Sequence, residues 1–332
     1  MDVSRVDPED VLVDWETVDQ ADISGEVDEN FLRTASSGDK DDKVLVSIRV
    51  RPSESPSAWE TQTNANTIKL FSQYHRNVAT APPVFNFDGI LTGSDNKSVY
   101  NAVARNHVCA AMDGYNSVIF AYGQTASGKT FTLVGYQRDI SPLCILTPLQ
   151  SGDDDQPGII PRAMKDVFAF IRRTPAREYL LRCSYLEIYN ETIHDLLAPP
   201  SAPTVQLQGS GANVWLAPLR EEVVTSVAAV RAVIARGWAA RRTASTDWND
   251  RSSRSHSVFR VVIESRERGD TSGGRQTPGI PSRPPTPGGP KLQSIGGRSV
   301  QTSVLSLIDL AGSEKATSDK ERTREGKFIN TR

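Results

Sequence analysis

The first sustained alternation of apolar and polar positions is KVLVSIRVRP, where Val44, Val46, Ile48 and Val50 fall on one face of an extended chain and Arg49 and Arg51 on the other. This predicts a strand, which Pro52 ends. Residues 1–42 are acidic, carry few periodic apolar positions and run into SSGDKDD, a composition that predicts a disordered N-terminal tail. The apolar run NSVIFAYG predicts a second strand that enters a glycine-rich turn at its C-terminal end, and EYLLRCSYLEIYNETIHDLL reads as a strand passing into a helical turn. VTSVAAVRAVIARGWAARR places Val227, Val230, Val233 and Ile234 at helical spacing, and Arg241 and Arg242 at its end suit a helix C-terminus. Two more strands are predicted at HSVFRVVIES and SVLSLIDLAG. Between them, residues 267–300 are dense in Gly, Pro and Ser, with no acid after Asp270; they predict a disordered surface loop joining neighbouring strands. Strands alternating with helices imply a layered α/β domain around a central sheet.

Composition narrows the partners. Across 332 residues, 38 basic and 40 acidic side chains leave a net charge of −2, so any charged partner has to be met by a local patch, and nothing global argues for nucleic acid. Cys109, Cys144 and Cys183 are widely spaced and lack histidines at ligand spacing, so neither a disulfide framework nor a zinc site is expected. No run approaches the roughly 18 apolar residues that insertion across a bilayer needs, and a cytosolic or nuclear location is expected.

The chemistry concentrates in FAYGQTASGKT, residues 120–130. Gly123, Gln124, Thr125, Ala126, Ser127, Gly128, Lys129 and Thr130 fit G-x-x-x-x-G-K-[ST], the spacing of a phosphate-binding loop. Its glycines let backbone amides curl around phosphates, and the helix that follows adds its positive end. Lys129 would reach the terminal phosphates, and Thr130 would offer its hydroxyl to Mg²⁺. Two later stretches suit the sensing of a third phosphate. NDRSSRSH packs Asn249, Ser252, Ser253, Arg254, Ser255 and His256 together, although a polar loop capped by its serines accounts for the same residues. DLAGSEK puts Asp309 at the tip of an apolar strand with Gly312 three residues on; a strand-terminal carboxylate near Mg²⁺ serves phosphate hydrolysis, and a simple strand-ending turn is the alternative.

GQTASGKT, NDRSSRSH and DLAGSEK, in this order and supported by SYLEIYNETIHDLL and GIIPRA, resemble the motor domain of kinesins from about Lys43 to Arg332. The alanine of GQTASGKT and the stretch KATSDKERTREGKFIN are most similar to the centromere-associated group and related fungal motors. The resemblance implies a three-layer P-loop fold with a central mixed, mostly parallel sheet flanked by helices, and ATP with Mg²⁺ as ligands. Arg49, Arg51 and Pro52 would flank the adenine, and residues 123–130 would hold the phosphates. Ser252 and Ser253 would form the first switch, Ser253 with Thr130 and Asp309 would serve Mg²⁺, and the Gly312 amide would sense the γ-phosphate. Arg254 and Glu314 resemble the pair whose salt bridge closes the site when ATP is bound.

The same resemblance implies a microtubule-dependent motor ATPase in the cytoplasm and on the cytoskeleton, with tubulin as partner, no membrane insertion, and a homodimer joined through a stalk outside this chain. Lys315, Lys320, Arg322, Arg324 and Lys327 would begin a face toward acidic tubulin, a solvated charged loop being the plainer reading. Kinesin motors continue beyond GKFIN with further helices and a last sheet strand, so a C-terminally truncated motor region is expected, lacking that strand and those helices. A nucleotide- or tubulin-binding fragment without motility is the alternative. A GTPase is the third reading; NKSV, residues 96–99, lacks the Asp that guanine recognition needs.

Overall fold

The computed structural model describes residues 12, 13, 16, 18, 44–53, 56–75, 80–135, 156–210, 213–243, 251, 253–268 and 299–314. Strands β1 (Ser47–Val50), β2 (Trp59–Gln62), β3 (Thr67–Leu70), β4 (Val84–Asn86) and β5 (Gly89–Thr92) come first, followed by helices α1 (Asn96–Val103) and α2 (Arg105–Met112). Then come β6 (Ser117–Ala121), α3 (Lys129–Leu133), α4 (Ile159–Arg173), β7 (Arg177–Tyr189), β8 (Thr192–Asp195), β9 (Gln206–Ser210), β10 (Asn213–Ala217) and β11 (Glu222–Val223). Helix α5 (Val227–Thr243) and strands β12 (His256–Glu267) and β13 (Gln301–Asp309) complete the described chain.

The main sheet runs β11-β7-β12-β13-β6, with β8 also on β7. It is mixed, as expected, but its pairings are antiparallel except for β13 with β6, so "mostly parallel" does not hold for the described strands. The apolar pattern of a strand buried on both faces is the same in either direction, and β7, β12 and β13 lie as long antiparallel neighbours. The loop predicted between β12 and β13 does join adjacent strands; its residues 269–298 lie outside the described residues.

One face of this sheet carries the core. Tyr179, Leu181, Cys183 and Tyr185 of β7, Phe259, Val261 and Ile263 of β12, and Leu305 and Leu307 of β13 share it at period two. All five helices pack residues into this cluster, Val227, Val230, Val233 and Ile234 of α5 among them at their predicted spacing. In the kinked pair α1–α2, Asp95 caps α1 by accepting the amides of Lys97 and Ser98. On the opposite face Val118 and Phe120 of β6 are exposed.

Three expectations change locally. The first strand begins at Ser47, and Val44, Leu45 and Val46 before it are exposed; β1 pairs parallel with β5. SYLEIYNETIHDLL does not enter a helical turn. Asn190 and Glu191 both adopt positive φ, 50° and 58°, and fold β7 back onto β8 as a tight hairpin. The predicted disordered tail is tied down at its described residues: Val13 is fully buried and its amide donates to the Tyr179 carbonyl at 2.8 Å, while Val18 is buried and its carbonyl accepts from Arg172. Tyr179 and Arg172 flank the α4–β7 turn, and two valines in an acidic segment suffice to cover it.

Candidate functional site

The glycine-rich loop links β6 to α3, and its backbone explains its sequence. Gly123 (φ 150°) and Gly128 (φ 99°) occupy conformations that disfavour side chains, and Gly128 caps α3. A Cβ at Gly123 would also lie 2.7 Å from Ser127 Oγ. Gln124, Thr125, Ala126 and Ser127 form the exposed crest. Lys129 Nζ spans the loop from inside, donating to the carbonyls of Gly123 and Gln124, each at 2.9 Å. Burial holds its pKa below the usual lysine value, against the opposing pull of Asp309 and Glu314.

Asp309 stands at the C-terminal tip of β13, directly beside β6, and its Oδ2 accepts the Thr130 hydroxyl at 2.5 Å. Its Oδ1 is buried without a hydrogen-bond partner among the described residues. Burial raises the Asp309 pKa, and the Thr130 hydrogen bond and the charges of Arg241, Lys129 and His256 only partly oppose it. An unpartnered carboxylate oxygen beside a threonine hydroxyl is a hard-oxygen donor set that fits Mg²⁺.

The segment after β13 ties the parts together. Leu310 donates its amide to the Ala121 carbonyl at 3.3 Å, Ala311 to His256 Nδ1 at 3.1 Å, Gly312 to the Ser253 carbonyl at 2.7 Å, and Ser313 to the Gly123 carbonyl at 3.1 Å. Four consecutive amides thus reach β6, β12, the NDRSSRSH stretch and the glycine loop. The Glu314 carboxylate accepts the Thr125 amide at 2.9 Å and the Thr125 hydroxyl. Burial pushes its pKa up, but the hydrogen bonds and the Lys129 charge outweigh that and leave it below the usual value. The carboxylate folds over Gly312, where a Cβ would lie 2.4 Å from both of its oxygens.

Ser253 and Arg254 are helical and half-buried immediately before β12. Ser252 lies outside the described residues, as do Lys315, Lys320, Arg322, Arg324 and Lys327. On the other flank, Arg51 donates to the Ala126 carbonyl and so touches the loop, and Pro52 is exposed beside it. Arg49 is held more tightly. Its Nη1 donates to Asn96 Oδ1 and Thr132 Oγ1, both at 2.7 Å, and its guanidinium lies 5.2 Å from the centre of the Phe131 ring. Asn96 is 1% exposed and also donates to the carbonyls of Phe131 and Gln156. The asparagine of NKSV is therefore a buried brace between β1, α1 and α3.

A buried ionic cluster lies beside the site and is not evident from the motifs. Glu187, fully buried on β7, accepts Arg241 Nε at 3.1 Å and Arg251 Nη2 at 2.7 Å. The signal was present: the inward face of β7 runs Tyr179, Leu181, Cys183, Tyr185 and then an acid. Arg241 lies in the last turn of α5, as its sequence suggests, and turns inward there, 1% exposed. Among the described residues no cluster of His, Cys, Asp and Glu suits a metal held by protein alone, and no helix is long and apolar enough to cross a membrane.

Residues 49–332 match the family profile described as the kinesin motor domain. Centromere-associated protein E of Homo sapiens is 37% identical over 296 residues, covering 86% of this chain and 9% of that protein. Kinesin-related protein 11 of Dictyostelium discoideum is 42% identical over 245 residues, 71% of this chain and 30% of the relative. Kinesin-like protein KIN-7L of Oryza sativa subsp. japonica is 35% identical over 307 residues, 87% of this chain and 41% of the relative. The chain thus spans between 9% and 41% of the length of these curated relatives. The solved structure of a fast kinesin superposes with a TM-score of 0.65 at 29% identity, covering 86% of this chain and 71% of that one.

Proposed function

From the premise that the chain belongs to the kinesin motor-domain family, we propose that it binds Mg·ATP in the glycine loop, hydrolyses it, and couples that cycle to microtubules as a motor. The observation that carries this reading is the junction of Thr130 and Asp309 at 2.5 Å, with Asp309 Oδ1 buried and unpartnered next to it. Phosphoryl transfer to water needs little covalent work from a protein, only positioning and charge stabilisation.

The geometry supports this division of roles. The amides of residues 124–130 and the Lys129 ammonium receive the phosphates, and the buried position of Lys129 strengthens its electrostatic effect. Thr130 and Asp309, with Ser253 from the first switch, would hold Mg²⁺, which when bound neutralises charge on the β- and γ-phosphates. Arg51, which donates to the Ala126 carbonyl, and Pro52 would flank the adenine, with Arg49 bracing the end of β1 just before them. The Gly312 amide rests on the Ser253 carbonyl, and a γ-phosphate competes for that donor; Glu314 rests on Thr125 and is released to Arg254 when the loop closes. The two switches therefore exchange partners according to the phosphate present.

Acidic tubulin is the track in this reading, with the basic stretch after Glu314 as the start of its face. The place of work is the microtubule cytoskeleton of the cytoplasm, and dimerisation through a stalk belongs to a longer protein. An ATPase assay against polymerised tubulin tests the reading. Saturable stimulation that disappears in Lys129→Ala supports it. Nucleotide binding without stimulated turnover favours a binding fragment, and preference for GTP in competition overturns the ATP assignment.

A further inference from the structure

Ser253 of the first switch and Arg254 beside it are described in the structure, and what fixes these two residues in space is not contained in their own sequence. We propose that Glu187 is a positioning residue for phosphate sensing: one buried carboxylate on β7 grips both ends of the segment 251–255. This inference rests on the ATPase reading above.

The grip at the first end is direct. Arg251 donates to Glu187 Oε2 at 2.7 Å, and its guanidinium stacks 4.8 Å from the centre of the Tyr189 ring, two residues along the same strand. At the second end it passes through one residue. Arg241 donates to Glu187 Oε1 at 3.1 Å and, through Nη2, to Ser255 Oγ at 2.8 Å. Both oxygens of a single carboxylate are thereby engaged, and Arg251 and Ser255, on either side of Ser253 and Arg254, are both tied to β7 and the end of α5.

The sheet register aims this cluster at the nucleotide. His194, Glu187, Ser257, Asp309 and Ala121 are successive cross-strand partners over β8, β7, β12, β13 and β6, so their side chains share one face in a single row. Glu187 and Asp309 stand two strands apart, roughly 10 Å. Arg241 lies over the row, hydrogen-bonded to Glu187 and close enough to Asp309 for its charge to act there. Ser257, between the two acids, donates to the Tyr185 hydroxyl at 3.2 Å. The Ser253 carbonyl that meets the Gly312 amide sits in the middle of the gripped segment. Displacing either end moves that carbonyl, and with it the partner exchange by which the second switch reads the γ-phosphate.

An ion pair that merely supports the fold predicts a uniform loss of stability and of nucleotide affinity. A positioning role predicts a split. Glu187→Gln removes the shared charge and takes the Glu187 carboxylate from the buried Arg241, which endangers folding. Arg251→Met leaves the Glu187–Arg241 pair intact and is the second arm. In both variants of the 332-residue chain we measure kcat, KM for ATP, affinity for Mg·ADP, thermal midpoint, and hydrogen exchange at Ser253, Arg254 and Gly312.

For Arg251→Met the expected result is a fall of roughly tenfold in kcat, the scale of one charge-assisted hydrogen bond, with KM and ADP affinity within about twofold of wild type. Exchange at Ser253 and Gly312 rises while the midpoint stays near wild type, and Arg251→Lys recovers part of kcat. Unchanged kcat in Arg251→Met, or parallel losses of kcat, ADP affinity and midpoint, overturns the proposal. Should wild type neither bind nor hydrolyse ATP, the ATPase reading fails by itself, and exchange in the nucleotide-free protein still decides about Glu187: no change at residues 253, 254 and 312 refutes the grip.

Discussion

Replacing Asp309 by Asn separates the stability of the site from its function. The carboxylate is buried and its Oδ1 has no described partner, and burial lifts its pKa despite the Thr130 hydrogen bond and the nearby charges of Arg241, Lys129 and His256. The net direction means that folding, without ligand, disfavours the charged form of this group relative to the unfolded chain. An Asp whose folded pKa is raised above the unfolded value of about 3.9 costs stability above the folded pKa, and that cost vanishes as pH falls through it. Asn keeps the shape, still accepts the Thr130 hydroxyl, and carries no charge. Because the Thr130 hydrogen bond and the Arg241 and Lys129 charges already offset part of the burial cost, the gain is set at the low end for an unsatisfied buried polar group, about 1 kcal/mol, or roughly 2 °C in the midpoint. Mg·ATP at a hundredfold excess over its Kd adds about 2.7 kcal/mol to wild type, roughly 5 °C. The variant loses that increment, since its metal-facing oxygen is gone. The two proteins should therefore cross: the variant melts higher without nucleotide and lower with it, and the ligand-free difference shrinks as pH falls. Differential scanning fluorimetry with and without Mg·ATP, at neutral and acid pH, checks this. A ligand-free midpoint several degrees below wild type, or an undiminished nucleotide shift, refutes the electrostatic reasoning.

Three further outcomes follow from packing. Asn96→Ala strips partners from Arg49 and from the carbonyls of Phe131 and Gln156, and should cost about 2–4 kcal/mol in urea denaturation. Gly237→Ala places a Cβ 2.1 Å from Tyr185 Cδ1 in the core, so the usual helix-favouring gain is reversed and about 1–3 kcal/mol is lost, read as a lower midpoint. Deleting residues 1–20 uncovers Tyr179 and removes Val13 and Val18 from the core; a loss of about 2 kcal/mol or more is expected, whereas a freely mobile tail gives none.

The glycine loop was legible for a physical reason: a tight backbone turn demands glycines at fixed spacing, as the positive φ of Gly123 and Gly128 reflects, and the fold does bring Thr130 and Asp309 together. Helix α5 was equally legible, because Val227, Val230, Val233 and Ile234 record the burial of one face. Strand direction was not, since apolar alternation is blind to it. The hairpin at Asn190 and Glu191 escaped because two left-handed residues without glycine leave little trace in composition. The Glu187 cluster joins β7, α5 and the residue that opens the first switch, 54 and 64 positions away along the chain, so only the fold brings it together. Val13 was hidden by the acids around it, for burial of a single apolar residue needs no periodicity.

The central claim is that the glycine loop and the two switch segments form one sensor of the third phosphate. Hydrogen exchange of residues 253–255 and 309–314, compared between Mg·ADP and a non-hydrolysable Mg·ATP analogue, tests it most directly. Selective protection of both segments by the triphosphate, absent in Lys129→Ala, is the predicted result. Equal protection by the two nucleotides, or protection of one segment without the other, contradicts it.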